Sequence, residues 1–301
     1  MSGAARSSGQ SPAGRPAPRP RKSSSAKTVP KKGPNSPAKS APRSAATPTP
    51  TSVPVLTGGV IGLRSGAGYR WTLLEVAAIL SVTFSAFMVK EAVTASAAVD
   101  SLPAAIAVPV RVGVLALYYA AQVAVLVWLV RRRSGDVPLA LGLRGPARGA
   151  AGLAADAGLV LATLGVTRFF AWLYAYITLE FGLMPTQGVD LPGLFGTSAG
   201  GVVLAVIMVV VVGPVVEEAV FRGALLKGLA VRFGEWPAIV VQAGIFSALH
   251  RSLWLAIPML VLGIALGWIA RQRDSLWPPI IAHGLYNAIT VAAAFLVATT
   301  A

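Results

Sequence analysis

The chain has 301 residues, of which 55% are hydrophobic and only 12% are charged, and it contains no cysteine. This composition is typical of an integral membrane protein and argues against a water-soluble globular domain. Because cysteine is absent, disulfide frameworks and thiolate chemistry are excluded.

The formal net charge is +15, and most of it lies near the N-terminus. Twelve of the 26 Lys and Arg residues fall within residues 1–70, which contain no Asp or Glu. The segment is rich in Ser, Pro and Ala and has too few apolar residues to offset the entropy of ordering. We predict a disordered basic tail over residues 1–68. The tail either binds anionic lipid or an acidic partner, or it only fixes the orientation of the protein. We expect no specific binding to nucleic acid.

From Trp71 onward, apolar stretches are long enough to cross about 30 Å of hydrocarbon at 1.5 Å per residue. The predicted spans are 71–89, 112–130, 152–178, 200–231, 236–252, 254–271 and 278–298. The fourth is overlong and contains Gly213-Pro214, where proline removes an intrahelical hydrogen bond. A kink there gives seven helices and a full break gives eight. The predicted fold is therefore an all-α, polytopic transmembrane bundle of seven to eight helices. Residues 69–190 form its N-terminal helices and residues 191–301 its functional region.

Basic residues in the loops predict the orientation of the bundle. Placing the tail in the cytoplasm also places most basic loop residues there, namely Arg131, Arg132, Arg133, Arg144, Arg148, Lys227, Arg232, Arg271 and Arg273. Lys90, Arg111 and Arg251 are then left outside. An extra crossing at Pro214 would spoil this bias, which favours a kink. We predict an integral protein of the plasma membrane with a cytoplasmic N-terminus.

Ionisable groups inside spans cost about 2.5–3.5 kcal/mol each for Arg, Lys or Asp at a helix centre, so each one needs a reason. Glu218 and Arg222 are one turn apart and can form an ion pair. Glu217 points about 100° away from Glu218 and lacks that partner, which makes it the candidate general base. Arg168, in the third span, is assigned to a structural ion pair or to snorkelling.

The chain has only two histidines, and each has a partner one helical turn away. Phe246 precedes His250 by four residues, and His283 precedes Asn287 by four. Imidazole titrates near neutral pH, which suits proton transfer. An imidazole and a carboxamide on one helix face suit an oxyanion. Packing roles for Phe246 and an interhelical hydrogen bond for Asn287 are the alternatives.

These residues form three motifs: Glu217-Glu218-x-x-x-Arg222, Phe246-x-x-x-His250 and His283-x-x-x-Asn287. Together they resemble the motifs of the CPBP family, the CAAX proteases and bacteriocin-processing or immunity (Abi) proteins, over residues 200–298. The resemblance implies a membrane-embedded glutamic endopeptidase that acts on a peptide or membrane-protein substrate.

The resemblance also implies a role for each motif residue. Glu217 and His250 would activate water, and Glu218 with Arg222 would support that geometry. His283 and Asn287 would stabilise the oxyanion. No cofactor is expected.

Three alternatives remain open on the sequence. Two histidines and a glutamate are a catalytic zinc ligand set, although His-Glu-x-x-His is absent and Asn287 suits an oxyanion better. Intramembrane acids and histidines also form proton relays in transporters, although no pair of broken helices in two halves is evident. A non-catalytic immunity or scaffold protein would use the same helices.

The predicted helix ends also create a mismatch in depth. Counted from the cytoplasmic ends, Glu217 and His250 lie about 20 Å deep and His283 only about 8 Å deep. A shared site requires these boundaries to shift.

Overall fold

The computed structural model describes residues 69–133, 135–143, 145, 149–182 and 190–300, with the backbone alone at 299 and 300. The tail predicted over residues 1–68 lies outside the described residues, as do Arg144 and Arg148 of the orientation argument. The described part contains ten helices and no strand, which confirms the all-α fold class. The helices are α1 Leu73–Thr94, α2 Ala97–Asp100, α3 Ala104–Arg132, α4 Val137–Leu141, α5 Gly149–Glu180, α6 Leu191–Phe195, α7 Ala199–Phe233, α8 Glu235–Ala248, α9 Leu253–Arg273 and α10 Trp277–Thr300.

Six of these helices are long and apolar enough to cross a membrane: α1, α3, α5, α7, α9 and α10. Many of their large apolar side chains point outward, such as Leu74 at 80% exposure and Leu117 at 70%. Such outward apolar faces suit contact with lipid. The chain is therefore an integral membrane protein.

The fifth predicted span, 236–252, corresponds to α8, a helix of only 14 residues, or about 21 Å. It nevertheless runs from one end of the bundle to the other. Glu235 at its start pairs with Arg271 near the end of α9, at 3.3 Å, and Arg251 beyond its end pairs with Glu91 near the end of α1, at 3.2 Å. Within the described residues, the chain thus passes through the bundle seven times, once by a helix too short to span a bilayer alone.

The long helix α7 is continuous through Gly213-Pro214, so the chain does not break there. Its turns at Val206–Val212 and Ala219–Leu225 are π-helical, and the residues between them, Gly213–Glu218, are α-helical. π-Helical turns inside α-helices frequently mark functional sites. The two glutamates therefore end a short α-helical turn flanked by two π-helical ones.

The start of α10 lies at the level of Gly223 in α7, and not at the level of the C-terminal end of α7. The Leu276 N–H donates to the Gly142 carbonyl at 2.9 Å, and the Leu276 side chain lies 3.3 Å from the place of a Cβ on Gly223. The helix α7 thus extends about ten residues, or about 15 Å, beyond this level. This overhang removes the predicted mismatch in depth and places His283 beside the two glutamates.

The core surrounds the second half of α7. Val220, Ala224 and Leu226 are fully buried there, against apolar side chains of α1, α3, α8 and α9. Small residues permit the close approaches: a Cβ on Gly228 would lie 2.4 Å from Val76, and one on Gly284 would lie 2.8 Å from the Val210 carbonyl oxygen. Side chains on this half of α7 are therefore held in fixed positions.

Candidate active site

The two consecutive carboxylates of α7 have different environments. Glu218 is fully buried, whereas the Glu217 side chain is 18% exposed. Successive residues of a helix point about 100° apart, which accounts for the difference. Glu218 can therefore serve as an internal support, while Glu217 remains accessible to a small reactant.

Glu218 forms the buried centre of the site. Its Oε1 accepts a hydrogen bond from Arg222 Nη1 at 2.7 Å and lies 2.9 Å from His283 Nδ1. Arg222 also donates to the Gly263 carbonyl at 3.0 Å, and its guanidinium lies 4.8 Å from the centre of the Phe246 ring. The ion pair predicted from the one-turn spacing is thus present, and it connects α7, α8, α9 and α10.

Glu217 contacts two other groups. Its Oε1 accepts a hydrogen bond from the Tyr119 hydroxyl at 3.1 Å, and its Oε2 lies 3.8 Å from His283 Nε2. A Cβ on Gly213 would lie 2.8 Å from the Tyr119 oxygen, so glycine makes room for this hydroxyl. The sequence analysis missed Tyr119, because a tyrosine in an apolar helix ordinarily indicates packing or an interfacial position.

His250 lies just beyond α8, and its Nδ1 is 2.9 Å from the Phe246 carbonyl oxygen. A carbonyl only accepts, so Nδ1 carries the proton and Nε2 of the neutral ring is an acceptor. The Phe246 ring lies between the two histidines, 4.8 Å from the His250 ring and 5.7 Å from the His283 ring. Phe246 therefore separates and orients both imidazoles.

Asn287, one turn beyond His283, donates from Nδ2 to the Val209 carbonyl at 2.9 Å. In this π-helical turn the Gly213 N–H reaches the Met208 carbonyl, five residues back. The Val209 carbonyl would in the same register pair with residue 214, which is proline and has no N–H. Asn287 supplies the missing donor and keeps a second amide hydrogen for other use.

Arg168 lies apart from this network. It donates to the Tyr286 carbonyl and, at 3.0 Å, to the Thr290 hydroxyl, and its guanidinium lies 3.8 Å from the Tyr286 ring centre. Arg168 therefore joins α5 to α10 by hydrogen bonds and ring stacking, contacts that the sequence analysis did not anticipate.

Of the six predicted site residues, Glu217, Glu218, Arg222 and His283 form one contact network. His250 joins it through Phe246, and Asn287 contacts the α7 backbone and not the carboxylates. Among the residues that the structure describes, no three His, Asp or Glu side chains are grouped so as to hold a metal ion.

The fold and the site together define an all-helical membrane protein with a carboxylate and histidine site buried between α7, α8 and α10. Residues 199–289 match the model of a protein family described as type II CAAX prenyl endopeptidase, Rce1-like. This match confirms the resemblance of the region to the CPBP family and supports a CAAX-type intramembrane endopeptidase in general terms. No curated protein and no solved structure matches the chain.

Proposed function

We propose that this protein hydrolyses peptide bonds within the membrane, with Glu217 as the general base and without a metal ion. The observation that carries the proposal is the Glu217 carboxylate held between Tyr119 and His283, at 3.1 and 3.8 Å, while its neighbour Glu218 is fully occupied by Arg222 and His283. A mostly buried but still accessible carboxylate fixed in this way can take a proton from water.

In the proposed reaction, one water molecule donates both of its hydrogen bonds: the first to the Glu217 carboxylate and the second to His250 Nε2. Glu217 takes a proton from this water, and the resulting hydroxide attacks the carbonyl carbon of the peptide bond. The carbon–nitrogen bond then breaks, and the proton passes to the departing amine. Positioned acid–base groups of this kind contribute about 10²–10⁴-fold in rate.

The negative charge on the carbonyl oxygen is assigned to His283 and Asn287. Glu218 holds His283 Nδ1 at 2.9 Å, which turns His283 Nε2 toward the side of the site occupied by Glu217. The oxyanion would be contacted by His283 Nε2 and by the Asn287 amide hydrogen not used by Val209. Removing one oxyanion donor costs about 10²–10³ in kcat in a well-studied protease.

The substrate is proposed to be a peptide or membrane-protein segment that reaches the site from within the bilayer. The description of the matching family model makes prenylated carboxyl-terminal peptides the first candidates. The positive-inside bias further supports placing the tail and the Arg133 end of α3 in the cytoplasm, and the plasma membrane is the proposed location.

The test uses full-length protein purified in detergent and a library of prenylated and unprenylated peptides, with products identified by mass spectrometry. Glu217→Gln keeps the side-chain shape and an acceptor for Tyr119 but cannot take the proton. We expect cleavage to fall by about a hundredfold or more. The matched control, Glu235→Gln, removes a carboxylate at the start of α8 and should retain activity.

Two results would overturn parts of the proposal. Activity abolished by a chelator and restored by zinc would replace the metal-free mechanism. If Glu217→Gln and His250→Ala both preserved the cellular phenotype while the protein stayed in the membrane, a scaffold or immunity role would replace hydrolysis.

A further inference from the structure

A long apolar groove lies on the outer surface between α3 and α7. Its volume is about 1050 Å³. On α3, its wall contains Ala116, Ala120 and Ala124, which are four residues apart and so form one small-residue ridge. Met208 and Val216 line the opposite wall on α7. The short alanine side chains leave this space open between the two helices.

The two ends of this groove differ in charge. At one end are Arg131 and Arg132, both exposed in the last turn of α3, and the Arg132 guanidinium lies 5.0 Å from the centre of the Trp128 ring. Tryptophan and arginine side by side are typical of the boundary between hydrocarbon and headgroups. Near the other end is Tyr119, whose hydroxyl donates to Glu217. The groove thus runs from a cationic, interfacial end to the candidate active site.

The stretch of the groove between Tyr119 and Arg131 is about one leaflet long. Tyr119 and Arg131 are twelve residues apart on one helix, or about 18 Å, and half of a 30 Å hydrocarbon core is about 15 Å. A ligand that fits has an anionic group at the arginines and one linear hydrocarbon chain along the alanine ridge. Arginine binds phosphate through several parallel hydrogen bonds, which suits a phosphodiester headgroup.

We propose that this groove binds one anionic phospholipid, with its phosphate on Arg131 and Arg132 and one acyl chain extending to Tyr119. Binding does not depend on hydrolysis and therefore stands apart from the proposed peptidase activity. The lipid site and the candidate active site meet at Tyr119. An acyl chain in the groove covers one side of Tyr119, the residue that donates to Glu217. The lipid would then shield this approach to the site from water.

The test measures retained lipid by native mass spectrometry on full-length protein that has been delipidated and then exposed to dioleoyl phosphatidylglycerol or dioleoyl phosphatidylcholine. We expect one tightly held phosphatidylglycerol and a preference of about thirtyfold over phosphatidylcholine, because two basic residues near the headgroups together contribute about 2 kcal/mol. The Arg131→Gln/Arg132→Gln variant should lose the preference. The Ala120→Phe/Ala124→Phe variant, which fills the groove from its lipid-facing side, should lose the bound lipid.

Two controls separate this site from general surface charge and from catalysis. Arg70→Gln/Arg232→Gln removes the same charge from exposed positions outside the groove and should leave the preference unchanged. Glu217→Gln should bind lipid as the wild type does, so a failure of the peptidase proposal leaves this result intact.

Equal retention of the two lipids would overturn the proposal, as would equal effects of the two arginine pairs. Retention that depends on the alanines but not on Arg131 and Arg132 would show a groove for uncharged chains, such as a lipid group on a substrate, and would also overturn it.

Discussion

Glu218 Oε1 lies 2.9 Å from His283 Nδ1, and the same oxygen accepts the hydrogen bond from Arg222. One fully buried carboxylate oxygen thus fixes both a cation of α7 and the imidazole of α10. This arrangement determines which way His283 Nε2 points, because the ring cannot rotate without losing the contact to Glu218. The orientation of His283 toward Glu217 is therefore a consequence of the buried ion pair.

Glu218→Gln should strongly destabilise the protein. Breaking a buried ion pair costs about 3–5 kcal/mol, because the remaining charge is left without compensation. The measurement is unfolding of the purified protein in detergent, followed by its helical signal. Asp100→Asn is the control, since this carboxylate is 60% exposed in its pair with Arg111 and its loss should cost less than about 1 kcal/mol.

The double variant Glu218→Gln/Arg222→Met should be more stable than Glu218→Gln alone, because it also removes the uncompensated cation. If the double variant is instead less stable by the sum of two large losses, the two residues do not act as a pair.

Tyr119→Phe should lower kcat by about ten- to a hundredfold, since a hydrogen bond to a charged group is worth about 1.5–3 kcal/mol. KM should change little, because Tyr119 acts through Glu217 and not on the bulk of the substrate. Steady-state kinetics on a cleaved peptide measure both constants. Tyr118→Phe is the matched control: the adjacent phenol makes no hydrogen bond to Glu217 within the described contacts.

Gly213→Ala tests the same contact from the other side. The added methyl group would lie 2.8 Å from the Tyr119 oxygen and should displace the hydroxyl from Glu217. We expect a loss of kcat similar to that of Tyr119→Phe, and no further loss in the double variant, because both changes remove one interaction. Additive losses would show that Gly213 affects activity by another route.

Ionisation of Tyr69, which lies just before α1, should lower the stability of the protein at high pH. Burial raises the pKa of Tyr69 from 10.0 to about 12, and the hydrogen bond from Tyr69 to Glu75 is the second cause of this increase. A group with a raised folded-state pKa contributes stability that is complete below pH 10 and is lost as the pH rises through about 12. Thermal unfolding of wild type and Tyr69→Phe should therefore converge across this window. A constant difference between them would contradict the prediction.

The helices and three site motifs could be predicted from sequence because both depend on local patterns. Apolar runs identified all six long helices, and one-turn spacing identified the Glu218–Arg222 pair. Two other features depend on packing between distant segments. The position of α10 relative to α7 follows from contacts of Leu276, and the contact of Tyr119 with Glu217 joins residues 98 positions apart. Hydropathy along a single helix carries no signal for either.

Asn287 and Pro214 provide a test of the π-helical register that is independent of catalysis. Asn287→Ala removes the donor to the Val209 carbonyl and leaves that carbonyl without a partner inside the bundle, which costs about 1–3 kcal/mol. Pro214→Ala restores a backbone N–H at the position from which the π register would reach Val209. In the Pro214→Ala background, Asn287→Ala should therefore cost less than in the wild type. Unfolding in detergent of the four proteins of this double-mutant cycle measures the coupling, and a coupling near zero would mean that Asn287 does not replace the hydrogen bond that Pro214 cannot make.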